Sequence, residues 1–278
     1  MASYGGDALL LDFDEKPTAI IAAIDGLRQS WTDARARLKG AWQVPLGLVF
    51  LGMALVVLDI WLGYGRGYFV RIGVITVLIG FWTAIRLARA RRQPKFDRPE
   101  IGSARRVIHT LRDDVSPQGN FHGTLDLTGL GSPDKVARTT KDSRGRRISY
   151  HRDEWLTLKA KLYDGSMLRF SVIHRAKIRN SYYKRSRISG KQKLKPEVLK
   201  KDVQVIDVRV SPNPALYELR RERAPVVGAR VGACVVDSVS TDGGLLRVTA
   251  SGAHAPSADD ILEILRVTYA TLQRKDAA

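Results

Sequence analysis

Cysteine is almost absent from this chain. Cys234 stands alone among 278 residues, so no intrachain disulfide forms and a secreted, disulfide-stapled fold is excluded. Its setting, residues 231–236, is small and apolar, which reads as core filling rather than a reactive thiolate. Catalytic signatures are also missing. The five histidines (His109, His122, His151, His174 and His254) are scattered without metal-ligand spacing. There is no His-Glu-x-x-His, no phosphate-binding loop and no Gly-x-Ser-x-Gly elbow. Asp126, Asp153, Glu154 and Lys159 lack the Glu-x-Lys spacing of a nuclease-like acidic set. These absences predict no enzyme, no bound metal and no cofactor. Acidic residues are scarce as well: 28 Asp and Glu face 46 Lys and Arg, a formal charge of +18. That excess draws the chain toward anionic surfaces, whether phospholipid headgroups, nucleic acid or an acidic protein.

What the chain does have, early on, is apolar sequence. Residues 44–62 carry one charge, Asp59, and residues 68–87 carry Arg71 near the start and Arg86 near the end. At ~1.5 Å per residue each run approaches the ~30 Å of a bilayer core. Trp42, Trp61, Tyr64, Tyr68 and Trp82 lie at or near the run ends, as interfacial aromatics do. Basic residues gather before the first run (Arg35, Arg37, Lys39) and after the second (Arg89, Arg91, Arg92, Lys95), with only Arg66 in the loop between. The positive-inside rule then puts both termini in the cytoplasm of a bacterial inner-membrane protein. Asp59 and Arg71 are equidistant from Gly65 and form a candidate pair fixing the rotation of the two helices.

Before these runs, Ile20, Ile24, Leu27, Trp31, Ala34 and Leu38 recur at alternating steps of four and three, a heptad seam. It fits packing on the chain's own domain, self-association into a homo-oligomer, or contact with the inner leaflet. Residues 1–15 read as irregular.

Beyond Pro94 and Pro99 the composition becomes that of a basic, strand-rich domain. A short helix is expected over 103–114 and a half-buried strand over 121–127, where odd positions are apolar. Residues 129–147 show no period and read as a mobile loop. Residues 155–178 read as a hairpin. Keeping its apolar residues on one side demands an even sum of paired positions, so the turn is the three-residue Tyr163-Asp164-Gly165 and Lys159 faces Arg169. Like charges so placed repel unless solvated or bound to an anion. Residues 175–201 hold eleven Lys and Arg against Glu197 and read as an extended arm. Strands over 203–210, 230–240 and 245–251 and a helix over 257–274, opened by a Ser257/Asp260 capping box, complete the chain.

The sequence thus predicts an α+β membrane protein: a two-helix transmembrane hairpin plus a cytoplasmic antiparallel β domain with flanking N- and C-terminal helices. Its regions are a leader (1–43), the hairpin (44–88) and the basic domain (97–278). The expected function is a membrane-anchored adaptor or scaffold within a larger assembly. Its expected partners are the lipid bilayer and a protein with an acidic surface; the alternatives are a membrane tether for RNA or DNA and an enzyme with no recognisable motif. The anion-binding candidates are Lys159, Lys161, Arg169, Arg175, Lys177, Arg179, Lys184, Arg185, Arg187, Lys191, Lys193 and Lys195.

Overall fold

The computed structural model describes residues 10–41, 43–62, 68–91, 99–116, 119–186 and 188–275. They fall into two compact units, one joining 10–22 to 99–275 and the other covering 23–91. The helices among them are α1 (Pro17–Gly40), α2 (Gln43–Leu62), α3 (Tyr68–Arg91), α4 (Pro99–Leu111) and α5 (Ala258–Tyr269).

The larger unit is organised by an antiparallel sheet. Its first strands are β1 (Leu10–Glu15), β2 (Phe121–Asp126), β3 (Val136–Lys141), β4 (Arg147–Lys161) and β5 (Met167–Arg179). A separate two-stranded hairpin follows, β6 (Tyr182–Arg185) with β7 (Gln192–Lys195). Then come β8 (Val198–Ser211), β9 (Tyr217–Leu219), β10 (Arg230–Val231), β11 (Cys234–Asp242) and β12 (Leu245–Gly252). A last strand, β13 (Leu272–Arg274), pairs with β9. The main sheet runs β1-β2-β4-β5-β8-β12-β11-β10, with β3 added beside β4.

Because side chains alternate along a strand, the register sorts this sheet into two faces. One cross-strand row reads Phe13, Gly123, Leu158, Phe170, Val208, Val248; its neighbour reads Leu11, Leu125, Leu156, Val172, Ile206, Ala250. Apart from Gly123 these residues are buried and form the core. Helix α5 packs against α4 and against β8, β10 and β12. It opens with the expected capping box: the Ser257 hydroxyl accepts from the Asp260 amide (3.1 Å) while the Asp260 carboxylate accepts from the Ser257 amide (2.9 Å). Cys234 is 2% exposed, and burial pushes its thiol up to about 11, consistent with a core filler.

Gly123 is required by packing. A Cβ there would lie 2.1 Å from the Thr157 carbonyl oxygen and 3.0 Å from the Phe13 ring. Backbone cannot yield as a flexible side chain does, so Gly123→Ala is expected to destabilise the chain by about 2 kcal/mol. Equilibrium urea unfolding of the full chain checks this, and an unchanged midpoint would refute it.

The β4–β5 hairpin has the expected turn and register. Lys161 pairs with Met167, Lys159 with Arg169 and Leu156 with Val172, and Gly165 sits at φ +83°. A bulge between Glu154 and Leu156 then shifts the pairing by one residue.

Other expectations are corrected. Among the described residues no helix is long and apolar enough to cross a membrane, which overturns the transmembrane hairpin and the integral inner-membrane assignment resting on it. The charges matter here. Arg71 and Arg86 leave only residues 72–85 uncharged in the second run, short of the ~20 residues that span a bilayer, and Asp59 interrupts the first run. Helices α2 and α3 instead pack on each other: a Cβ on Gly52 would meet the Gly73 carbonyl oxygen at 2.6 Å, and one on Gly73 would meet the Gly52 oxygen at the same distance. The side chain of Asp59 lies outside the described residues, as does the loop at Gly65; Arg71 is exposed.

Four segments also change character. Residues 10–15 are strand β1, and 129–147 contains a 3-10 turn (Pro133–Lys135) and strand β3 rather than a mobile loop. The basic arm 175–201 is folded into the end of β5, the β6–β7 hairpin and the start of β8. The C-terminal helix stops at Tyr269, and Leu272 belongs to β13. On the heptad seam, Ile20 and Ile24 are buried within the chain at 1% and 0% exposure, Leu27 and Trp31 are half-buried, and the Leu38 side chain lies outside the described residues.

Candidate functional site

On the face opposite the core, one row of the sheet is almost wholly basic. His122, Lys159, Arg169, Arg209 and Arg247 are direct cross-strand partners on β2, β4, β5, β8 and β12. Adjacent strands are ~4.8 Å apart, so five partners form a line of roughly 19 Å. Lys159, Arg169 and Arg247 are exposed and Arg209 is half-buried. His122 at one end meets Asp14 of β1 at 2.8 Å.

The neighbouring row reads Thr124, Thr157, Ser171, Asp207, Thr249. Asp207, 6% exposed, accepts from Arg247 Nε (2.7 Å), Arg209 Nη2 (2.9 Å) and the Thr249 hydroxyl (3.2 Å). Burial by itself would raise its carboxyl, but the bonds from Arg247 and Arg209 outweigh that and hold it below the usual carboxylate range. The single Asp207 carboxylate therefore partly offsets Arg209 and Arg247 from beneath. Lys159 and Arg169 have no ion-pair partner among the described residues. A shallow groove of about 360 Å³ runs over them, lined also by Thr157, Ser171 and Phe170.

The positive surface continues along β5. Arg175, Lys177 and Arg179 occupy the same alternating positions as Arg169. Lys177 and Arg138 of β3 flank the Tyr150 ring at 5.4 and 4.7 Å, while Arg146 and Arg179 flank Tyr182 at 5.6 and 5.4 Å. Hydrogen bonding from Lys177 lowers the Tyr150 hydroxyl below its ordinary value, and bonding from Arg146 does the same for Tyr182. On the β6–β7 hairpin Lys184 faces Lys193 and Tyr182 faces Lys195; on its other side Tyr183 faces Leu194 and Arg185 faces Gln192.

A separate charged cluster is buried. Lys135, at the end of the 3-10 turn before β3, pairs with Asp126 and lies 3.0 Å from Asp153. The three side chains are only 11%, 12% and 4% exposed. Burial opposes charge on all three. The Lys135 hydrogen bond nevertheless holds Asp126 low and its carboxylate partners hold Lys135 high, whereas for Asp153 burial wins and its carboxyl is raised. This cluster ties the β3 connection to β2 and β4 and presents no open surface.

The structure thus unites Lys159 and Arg169 in one row and places Arg175, Lys177 and Arg179 along one side of β5. Lys161 is exposed at the turn end of β4. Lys184, Arg185, Lys193 and Lys195 lie on the hairpin strands, Lys191 lies in its connecting loop, and Arg187 lies outside the described residues. Sequence reasoning missed His122, Asp207, Arg209 and Arg247, which enter the row only through sheet order, and Arg138, Tyr150 and Arg146 around the β3–β4 edge. The signal for Asp207 and Arg209 was present, since both alternate with Ile206, Val208 and Val210. No protein-family description matches the chain, and no curated protein or solved structure matches it either.

Proposed function

We propose that the protein is a docking scaffold, a subunit of a larger assembly, whose basic sheet face and β6–β7 hairpin bind an acidic protein partner. The observation that carries this reading is the row of cations with Lys159 and Arg169 exposed and uncompensated at its centre. Adjacent like charges repel and weaken the sheet, so an anion laid across them relieves a cost already present in the free chain. Exposed aliphatic side chains favour protein over nucleic acid. Ile188 is 100%, Leu194 57% and Leu199 53% exposed among the cations, and a phosphate backbone gives them nothing to pack on. The rings of Tyr150 and Tyr182 are already engaged by the chain's own cations, which removes two stacking platforms. Nucleic acid stays as a second reading on one observation: Tyr183, 69% exposed, precedes Lys184 and Arg185.

Fluorescence anisotropy of the full chain with an extended peptide of alternating Glu and Leu, and with a single-stranded oligonucleotide, separates the two. Peptide binding is expected to weaken about tenfold from roughly 50 to 200 mM NaCl, and by a similar factor in Lys159→Gln/Arg169→Gln. Tighter binding of the oligonucleotide, or peptide affinity indifferent to both salt and the double substitution, would overturn the reading.

A further inference from the structure

An acidic concavity on this basic chain has a different chemistry. A cavity of about 560 Å³ opens in the larger unit between the end of α4, the β4–β5 turn and α5. That volume lies within the ~300–1,000 Å³ of small-molecule sites. Its apolar part comes from Leu111, Leu162 and Leu265, all at most 8% exposed, with Leu262 half-buried beside them. Its acidic part comes from the 3-10 turn Arg112–Asp114 and from Asp164 of the β4–β5 turn.

The carboxylates are unequally compensated. Asp113 is paired with Arg112 at 3.0 Å, and Arg266 at the rim is paired with Glu263 at 3.2 Å. Asp164 accepts the Ser166 amide at 2.8 Å but has no cationic partner among the described residues, and neither has Asp114. Burial, then the charges of Asp113 and Asp164, raise the Asp114 carboxyl above its ordinary value. Tyr269, also lining the cavity, has a buried hydroxyl oxygen with no hydrogen-bond partner among the described residues. A cation with an aliphatic body answers all of these at once: its charge offsets Asp114 and Asp164, its N–H donates to the Tyr269 oxygen, and its chain covers the leucines.

We infer that this cavity is a binding site for a small aliphatic amine, with the ammonium held by Asp114, Asp164 and Tyr269 and the alkyl chain against Leu111, Leu162 and Leu265. It is independent of the basic face and of whatever that face docks.

Calorimetric titration of the full chain with n-hexylamine hydrochloride tests it, with hexan-1-ol as the uncharged analogue. One saturable site is expected, with the alcohol at least about tenfold weaker because it cannot satisfy the carboxylates. Asp114→Asn and Asp164→Asn are each expected to weaken the amine about tenfold. Leu262→Trp, on the half-buried rim, is expected to weaken binding at least about tenfold by taking up the apolar space beside Leu265 that the alkyl chain needs, and it decides the matter should either Asp variant fail to fold by circular dichroism. No saturable heat with the amine, equal binding of the alcohol, or amine affinity unchanged in the folded variants would each overturn the assignment.

Discussion

Lys135→Ala is expected to destabilise the full chain by ~3–5 kcal/mol, because it removes the shared cation and leaves two largely buried carboxylates without a counter-ion. In a chain of this size that corresponds to a fall in Tm of roughly 10 °C. The pH dependence identifies the cause. In the native protein Asp126 is held below its ordinary value, so its stabilisation is complete above the unfolded-state value near ~4 and is lost as pH falls through the folded one. Asp153 runs the other way. Its carboxyl is raised, so the folded state binds the proton more tightly, and stability declines as pH rises from the unfolded value through the folded one. Without Lys135 both carboxyls are raised by burial, so the variant regains stability on acidification and its deficit is smaller at pH 5 than at pH 7. Urea unfolding at the two pH values measures this. A deficit that grows toward pH 5 would show that the lysine's alkyl chain, rather than its charge, supports the cluster.

How much of this was legible in the sequence depends on how local each signal is. Residues 155–178 combine a two-residue apolar period with a glycine suited to a left-handed turn position, and parity alone then sets Lys159 opposite Arg169. Strands β3 and β6–β7 carry no such period. Most of their residues are exposed, so nothing apolar alternates and only pairing with a neighbour makes them strands. In β1 the alternation of Leu11 and Phe13 with Asp12 and Asp14 was present but brief. Leu272 fell on the apolar side of α5 extended by helical spacing, yet it pairs with Leu219 in a sheet. Hydropathy of the two long runs obscured their charges, and Asp59, Arg71 and Arg86 cut them into shorter uncharged pieces. The basic row is the hardest to foresee. Arg169, Arg209 and Arg247 are far apart in sequence and become neighbours through a sheet order that reaches from β5 to β8 and then to β12.

Asp207→Asn is expected to move stability and binding in opposite directions, which makes it the most discriminating change on the candidate face. Asp207 is the buried counter-ion of Arg209 and Arg247, whose side chains are 43% and 46% exposed. Breaking a buried pair costs ~3–5 kcal/mol, and because these guanidiniums keep partial access to water the lower end, about 3 kcal/mol, applies. The wild-type pH profile follows from the depressed carboxyl. Its contribution is fully present above the unfolded value near ~4 and is lost as pH falls through the folded one. The asparagine variant lacks that acid-side loss, so the two proteins converge in stability at low pH. On the binding side, the substitution strips the one negative charge that offsets two of the row's five members, leaving Arg209 and Arg247 to act in full with Lys159 and Arg169. Affinity for the acidic peptide should rise several-fold and its salt dependence should steepen. A loss of affinity matching the loss of stability would mean that Asp207 only maintains the sheet. Unchanged affinity would mean that the acidic partner does not lie across this row.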